Sequence, residues 1–239
     1  MREVDPSFVY PGSELEIFEL AKNWKRYVAA KVQPYLGKTV LEVGAGLGSV
    51  TAELCSGKEQ LWVCLEPDTA LAEKIEQKIK NGTLPAYCAV TEGQVTDLAM
   101  SDLFETIIYF DVLEHIDDDQ SEIQEAIKHI YNNGYLVILA PAYNCLFNSF
   151  DESIGHFRRY NRKALINLVP PSLSLVSCWY LDSVGILTLL ANRFVFKLKM
   201  PTRNQIMFWD RTIVPFSKIL DPLTGFCVGK SILMVWKKG

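Results

Sequence analysis

The chain has no CxxC pair, no apolar run long enough to cross a bilayer, no surplus of positive charge and only three histidines among its 239 residues. Each absence removes a class of answers. The six cysteines, Cys55, Cys64, Cys88, Cys145, Cys178 and Cys227, are scattered, which argues against a zinc ribbon or a disulfide framework. Most stand among apolar neighbours, so buried free thiols are expected. Lys and Arg number 24 against 28 Asp and Glu, a formal charge of -4. Such a field repels a phosphate backbone, and nucleic acid is not an expected partner. The opening "MREVDPSFVYPGSELEIF" has no apolar stretch behind its basic residue and no small-residue cleavage site, so no signal peptide is read and a cytoplasmic protein is expected. The longest apolar stretch, "VGILTLLAN", is too short for a transmembrane helix.

What is present is material for a large core. Hydrophobic residues make up 49% of the chain, enough for a single enlarged domain. Short β-rich runs alternate with helical patterns, the signature of an α/β fold with a parallel sheet. Strands are expected near Thr39–Val43, Leu61–Leu65, Pro85–Val90, Thr106–Phe110 and Tyr135–Leu139. Ser13 and Glu16 stand at capping-box spacing and predict a helix before the first strand. In "DDDQSEIQEAIKHIYNNG", Ile123, Ala126, Ile127 and Ile130 share a helical face, with the aspartates at its start and Gly134 as its expected C-terminal cap. "LSLVSCWYL" and "SILMVWKK" read as two further strands forming an antiparallel edge. The expected division is a helical cap (1–37), a core (38–181), a helical insert (182–230) and a last strand (231–239).

"VLEVGAGLGSVT" carries the first chemical signal: a strand breaks into Gly44, Gly46 and Gly48. Such a turn lets a ligand approach the backbone closely and aims N–H groups toward it. Glu42 at the strand's end suits an ammonium or turn amides better than a pyrophosphate, so the ligand reads as cationic. Glu66 in "LEPD", followed by Pro67, stands about 20 residues beyond the glycines, where a carboxylate reaches two ribose hydroxyls. Gly93, Gln94 and Val95 follow the third strand and are placed to flank an adenine. Asp111 leaves the end of the fourth strand in "FDVLEHI".

In this order and spacing, "VLEVGAGLG", "LEPD" and "FDVLEHI" resemble the motifs of class I S-adenosylmethionine-dependent methyltransferases across about Leu36 to Ala140. The resemblance implies a Rossmann-like, seven-stranded, mostly parallel sheet with an antiparallel edge, and S-adenosylmethionine as cofactor. It implies that Gly44, Ala45, Gly46 and Gly48 meet the methionine part, Glu66 the ribose, and Gly93, Gln94 and Val95 the adenine, with Asp111 near the methionine end and the acceptor. "GHFRRY" resembles an element of a bacterial subgroup associated with glycan, natural-product and ribosomal-peptide tailoring. Two other classes stay open: a nicotinamide-dependent oxidoreductase, and a module that binds the cofactor without catalysis.

His156 follows Gly155 in a loop beyond strand five and reads either as a base or as a surface histidine. Arg158 and Arg159 read either as anchors for an acceptor carboxylate or as the solvated start of a helix. His115 reads as architectural. The Asp117–Asp119 run reads as helix-start chemistry, and no metal site is expected. Residues 182–230 read as a lid, with extra core or a membrane-surface face using Lys197, Lys199, Phe194 and Phe196 as alternatives. No Pro-Pro-aromatic signature follows strand four, so base-amine methylation is unsupported. The expected reaction is O-methylation of a small-molecule or peptide acceptor, leaning to a carboxylate over a hydroxyl, with N-methylation as the alternative.

Overall fold

In the computed structural model, which describes residues 13–191 and 200–239, the apolar runs form β1 (Thr39–Val43), β2 (Leu61–Glu66), β3 (Cys88–Glu92), β4 (Phe104–Phe110), β5 (Ile130–Pro141), β6 (Leu173–Leu181) and β7 (Ser231–Lys238). They pair as one sheet in the order β3-β2-β1-β4-β5-β7-β6. β1 to β5 run parallel, and β7 lies antiparallel between β5 and β6, as the two-strand edge predicts. Alternate side chains supply two cores. Val40, Trp62, Ile108 and Val137 point to one face, and Leu41, Ile107, Leu136 and Met234 to the other. Burial on both faces is why these strands read as continuous apolar runs. The strand order reverses between β1 and β4, and the ends of those strands open the crevice where such sheets bind ligands.

The first core is roofed by α2 (Lys22–Val32), whose Trp24, Tyr27, Val28 and Val32 are buried. The second is covered by α5 (Asp119–Ala126) and α7 (Arg162–Leu168) through Ile123, Ala126 and Leu165. The helix expected after Ser13 begins there as α1 (Ser13–Phe18), then breaks before α2. Restarting at Lys22 requires a cap, and Ala21 provides none. Asp210 does so from across the chain, its Oδ1 accepting from Trp24 N at 2.9 Å and its Oδ2 from Asn23 N at 3.2 Å.

That contact roots the insert. It contains α8 (Gly185–Ala191), α9 (Arg203–Phe208), a π-helical turn (Trp209–Ile213) and α10 (Val214–Leu223). Ile206, Trp209 and Val214 join the first core, while Phe208, Phe216, Ile219 and Leu223 stay exposed. Buried Asp221 accepts from Tyr27 Oη at 2.9 Å and from the amides of Asp182 and Ser183 at 2.7 and 2.9 Å. Buried Asp182 accepts from Trp209 Nε1 at 2.7 Å and Ser217 Oγ at 2.5 Å. The extra-core reading therefore accounts for the inner face. Lys197, Lys199, Phe194 and Phe196 lie outside the described residues. Among the described residues no helix is long and apolar enough to cross a membrane.

Two expectations fail on local physics. Gly134 caps no helix: α5 stops at Ala126, a single 3-10 turn follows, and Gly134 lies within β5. A side chain there would meet the carbonyl oxygen of Glu105 at 2.8 Å, so the glycine serves close strand pairing beside the irregularity between Phe104 and Thr106. The cysteines are not mostly buried either. Cys64 and Cys88 are, Cys55 and Cys178 are half-buried, and Cys145 and Cys227, which lie outside the strands, are exposed.

Asp210→Ala leaves the buried Trp24 amide and the Asn23 amide at the start of α2 without their acceptor. The expected loss is about 1–3 kcal/mol of stability, read as a lower denaturant midpoint with an unchanged slope.

Candidate functional site

The glycine turn follows β1 as expected, with Gly44, Gly46 and Gly48 at φ of 65°, 57° and 65°. Gly44 is required twice over, since a Cβ there would also come within 2.7 Å of Val112 Cγ2. The turn's amides are spent differently from the expectation. Gly44 N and Ala45 N both donate to the Leu65 carbonyl, at 2.8 and 3.3 Å, and Gly46 N donates to Glu66 Oε2 at 2.7 Å. The turn is thus tied to the end of β2. The helix behind it, α3 (Thr51–Leu54), is a single turn.

Glu42 does not face the turn amides. Its Oε2 accepts from Thr51 Oγ1 at 2.7 Å and Trp62 Nε1 at 2.9 Å, pinning α3 and β2 against β1. Desolvation raises this carboxyl to about 7, against the opposing pull of those two bonds. Glu66 is also buried, with Oε1 accepting from Asp68 N at 3.1 Å, and desolvation raises it too. Pro67 separates it from Asp68, which caps α4 (Thr69–Lys80) through Leu71 N.

Beyond β3, Gly93 N donates to the Glu66 carbonyl at 3.1 Å and Gln94 N to Asp97 Oδ2 at 2.7 Å. Gln94 is exposed, but Val95 is fully buried in the second core. The segment therefore sits beside Glu66, with its valine turned inward.

Asp111 closes β4 with φ of 53°, a conformation unfavourable for a residue with a Cβ. The residue is exposed to solvent, while its carboxyl is packed among protein atoms. Desolvation raises its carboxyl to about 6, and nearby His156, Lys230 and Arg159 oppose the shift. Lys230, at the insert's end, pairs with Asp182 at 3.3 Å and sits over the Trp209 ring at 3.6 Å. With Glu66 and Asp111 as acceptors at the ends of β2 and β4, on either side of β1, the acceptor set suits hydroxyl and ammonium groups and fits a nucleoside with a cationic tail.

The "GHFRRY" stretch folds back over "FDVLEHI". Phe157 N donates to the Glu114 carbonyl at 2.8 Å, and Tyr160 bridges to Ala142 beyond β5. Tyr160 is core, with its Oη bonded to Asp119 Oδ2 at 2.6 Å. Both arginines are paired. Arg158 meets Asp119 at 2.8 Å and Asp117 at 3.4 Å, and buried Arg159 holds Asp151 through Nε at 3.0 Å and Nη2 at 2.9 Å. His156 comes inside, its Nδ1 2.9 Å from Asp151 Oδ1 and its Nε2 3.7 Å from Glu114 Oε1. Its ring packs edge-to-face on His115, with centroids 4.5 Å apart. Burial alone would push Asp151 up, yet the His156 bond and Arg159 hold it below the usual carboxylate range. Glu114 is driven well above that range by desolvation, then by Asp111. His115 falls to about 3, by desolvation first and His156 second. The sequence reading missed Glu114 and Asp151. Their signals were faint: one is the acid beside His115, the other stands five residues before His156.

Raised in the folded protein, Glu42 contributes stability that is complete below about 4.5 and lost as pH rises through about 7. Over that window the wild type should lose ground to Glu42→Gln, a comparison made by melting both at several pH values. Glu66→Ala should weaken S-adenosylmethionine binding about 10- to 100-fold, the worth of hydrogen bonds to a charged group. Unchanged affinity by calorimetry refutes the ribose assignment.

No curated protein sequence matches the chain. Among solved structures, the fold is similar to the N-methyltransferase NodS from Bradyrhizobium japonicum WM9 in complex with S-adenosyl-L-homocysteine, at 12% identity and a TM-score of 0.56, covering 95% of this chain and 88% of that one. It is similar to coclaurine N-methyltransferase bound to N-methylheliamine and S-adenosylhomocysteine, at 14% and 0.60, covering 91% and 72%. A third likeness is an S-adenosylmethionine-dependent methyltransferase from Clostridium acetobutylicum ATCC 824, at 12% and 0.60, covering 95% and 98%. At these identities the likeness is one of fold. Residues 18–179, about two thirds of the sequence, match the family model described as a methyltransferase domain, and the chain belongs to that family.

Proposed function

We propose that this S-adenosylmethionine-dependent methyltransferase acts on a hydroxyl oxygen of a small-molecule or peptide acceptor, with His156 at the centre of the acceptor site. The observation that carries the reading is the division of charge around Asp111. Arg158 and Arg159, the expected anchors for a carboxylate acceptor, are bound to Asp117, Asp119 and Asp151. The groups that handle protons, Asp111, Glu114, His115 and His156, gather instead on the segment leaving β4 and the strap above it. A carboxylate is already ionised at neutral pH and needs orienting cations. A hydroxyl needs a place for its proton.

S-adenosylmethionine supplies an activated methyl group, and displacement at that carbon proceeds in line. Glu66 would hold the ribose and Asp111 the methionine ammonium, with the tied glycine turn as the wall beneath them. Alignment of this kind is worth about 7–11 kcal/mol at best. His156 enters with its ring already oriented: an Nδ1–H donated to Asp151 leaves the Nε2 lone pair facing Glu114 and His115. Two of the similar structures are N-methyltransferases by name, which supports an amine acceptor as the second reading.

The test is transfer from methyl-labelled S-adenosylmethionine into a fractionated host extract, followed by mild alkali. A label that resists alkali, with mass spectrometry placing it on oxygen, is the expected result, and His156→Ala should lower kcat about 100-fold or more. Release of methanol would mean a methyl ester and return the arginines to the acceptor site. A methyl on nitrogen would favour the second reading.

A further inference from the structure

We infer that Glu114, His115 and His156 form a binding site for a divalent first-row transition cation beside the acceptor, an inference that rests on the hydroxyl reading above for its chemical purpose. Each of the three offers one ligand atom, and these atoms lie within 4.8 Å of one another. Tetrahedral ligands about 2.1 Å from a common ion stand about 3.4 Å apart, so closing the site asks for side-chain shifts of up to about an ångström.

Three features distinguish this cluster from a chance meeting of side chains. Glu114 is fully buried, and neither carboxylate oxygen has a hydrogen-bond partner among the described residues. A buried carboxyl in that condition is expensive, and native proteins seldom leave one unmatched. His156 is held as metal-binding imidazoles usually are, with one ring nitrogen on a carboxylate, here Asp151 at 2.9 Å, and the other turned to the proposed ion. Asp151 is itself clamped by Arg159 and by Asn148 N at 2.9 Å, so this support does not depend on the ion. Two imidazoles and a carboxylate are ligands of intermediate hardness and suit manganese, iron, cobalt or zinc. The proposal departs from the sequence expectation of no metal site.

Such a cation gives the acceptor hydroxyl a reason to ionise at neutral pH. Held there, the hydroxyl passes its proton to water. Its oxygen lone pair forms the new C–O bond, and the S–CH3 bond breaks with its electrons left on sulfur. No oxidant or reductant is involved. His156 acts as a ligand in this scheme, and its lone pair is used on the metal.

The probe is Mn2+ alone, chosen because manganese favours oxygen and imidazole ligands over the thiolates of exposed Cys145 and Cys227. Full-length protein is stripped with chelator and titrated while the electron paramagnetic resonance signal of free Mn2+ is followed. The expected result is one ion per chain at micromolar concentration, with Glu114→Gln and His156→Ala each weakening binding at least about 10-fold. S-adenosylhomocysteine affinity, measured by calorimetry, should be unchanged in both variants and confirms that they fold. Failure to bind one equivalent, or equal binding by wild type and both variants, overturns the site. Full methyl transfer by chelator-stripped enzyme overturns the metal's role and leaves the hydroxyl reading standing. Stoichiometric, variant-sensitive binding alongside a methyl ester product supports the site and overturns the hydroxyl reading.

Discussion

The carboxylate of Asp151 organises the site from below. It is fully buried and accepts from Arg159, His156 and the Asn148 amide together, so one side chain fixes a cation, an imidazole and the start of the short helix α6 (Ser149–Ser153). Removing one partner from such a buried pair costs far more than the pair adds, which keeps all of them in place. Through Asp151 the strap that follows is committed to lie across the end of β4. Glu114, His115 and His156 meet because of it.

Buried acids play the same role around the insert. Asp182, Asp210 and Asp221 take amides, a phenol, an indole and a hydroxyl from α2, the insert and the end of β6, so the segment between the last two strands is bolted to the first core. Asp182 and Asp111 both hold positive φ, as does Tyr143 just past β5. These strained residues stand at or just beyond strand ends around the crevice, where surrounding contacts oblige the backbone to turn. The exposed apolar residues of α9 and α10 are the counterpart: the inner face is committed to the core, and the outer face offers an apolar surface to solvent.

Much of this was legible beforehand because it is local. A strand covered on both faces must be apolar along its length, so β1, β2, β4 and β7 could be read from composition and run length, and the partly exposed edge strand β6 from its β-rich residues. The glycine turn showed itself because positive φ favours glycine, and the start of α5 because the run of aspartates offers the short acceptors that capping needs, of which Asp118 serves as the cap. The extent of β5 was not readable. Asn132, Asn133 and Gly134 look like a helix end, yet they lie within β5, in the stretch where its register with β4 shifts.

The pairing of distant charges was even less available. Arginines beside a histidine suggest an anion site, and only the fold shows Asp117, Asp119 and Asp151 already opposite them. Glu42 looked like a ligand acid and proved to be a brace between Thr51 and Trp62. The sequence by itself determined the fold class, the glycine turn and the acids at the ends of β2 and β4, because periodicity and backbone conformation act over a few residues. The tertiary structure alone decided which charges neutralise each other and which carboxylate is left unpaired among imidazoles, because those outcomes depend on contacts between residues far apart in the chain.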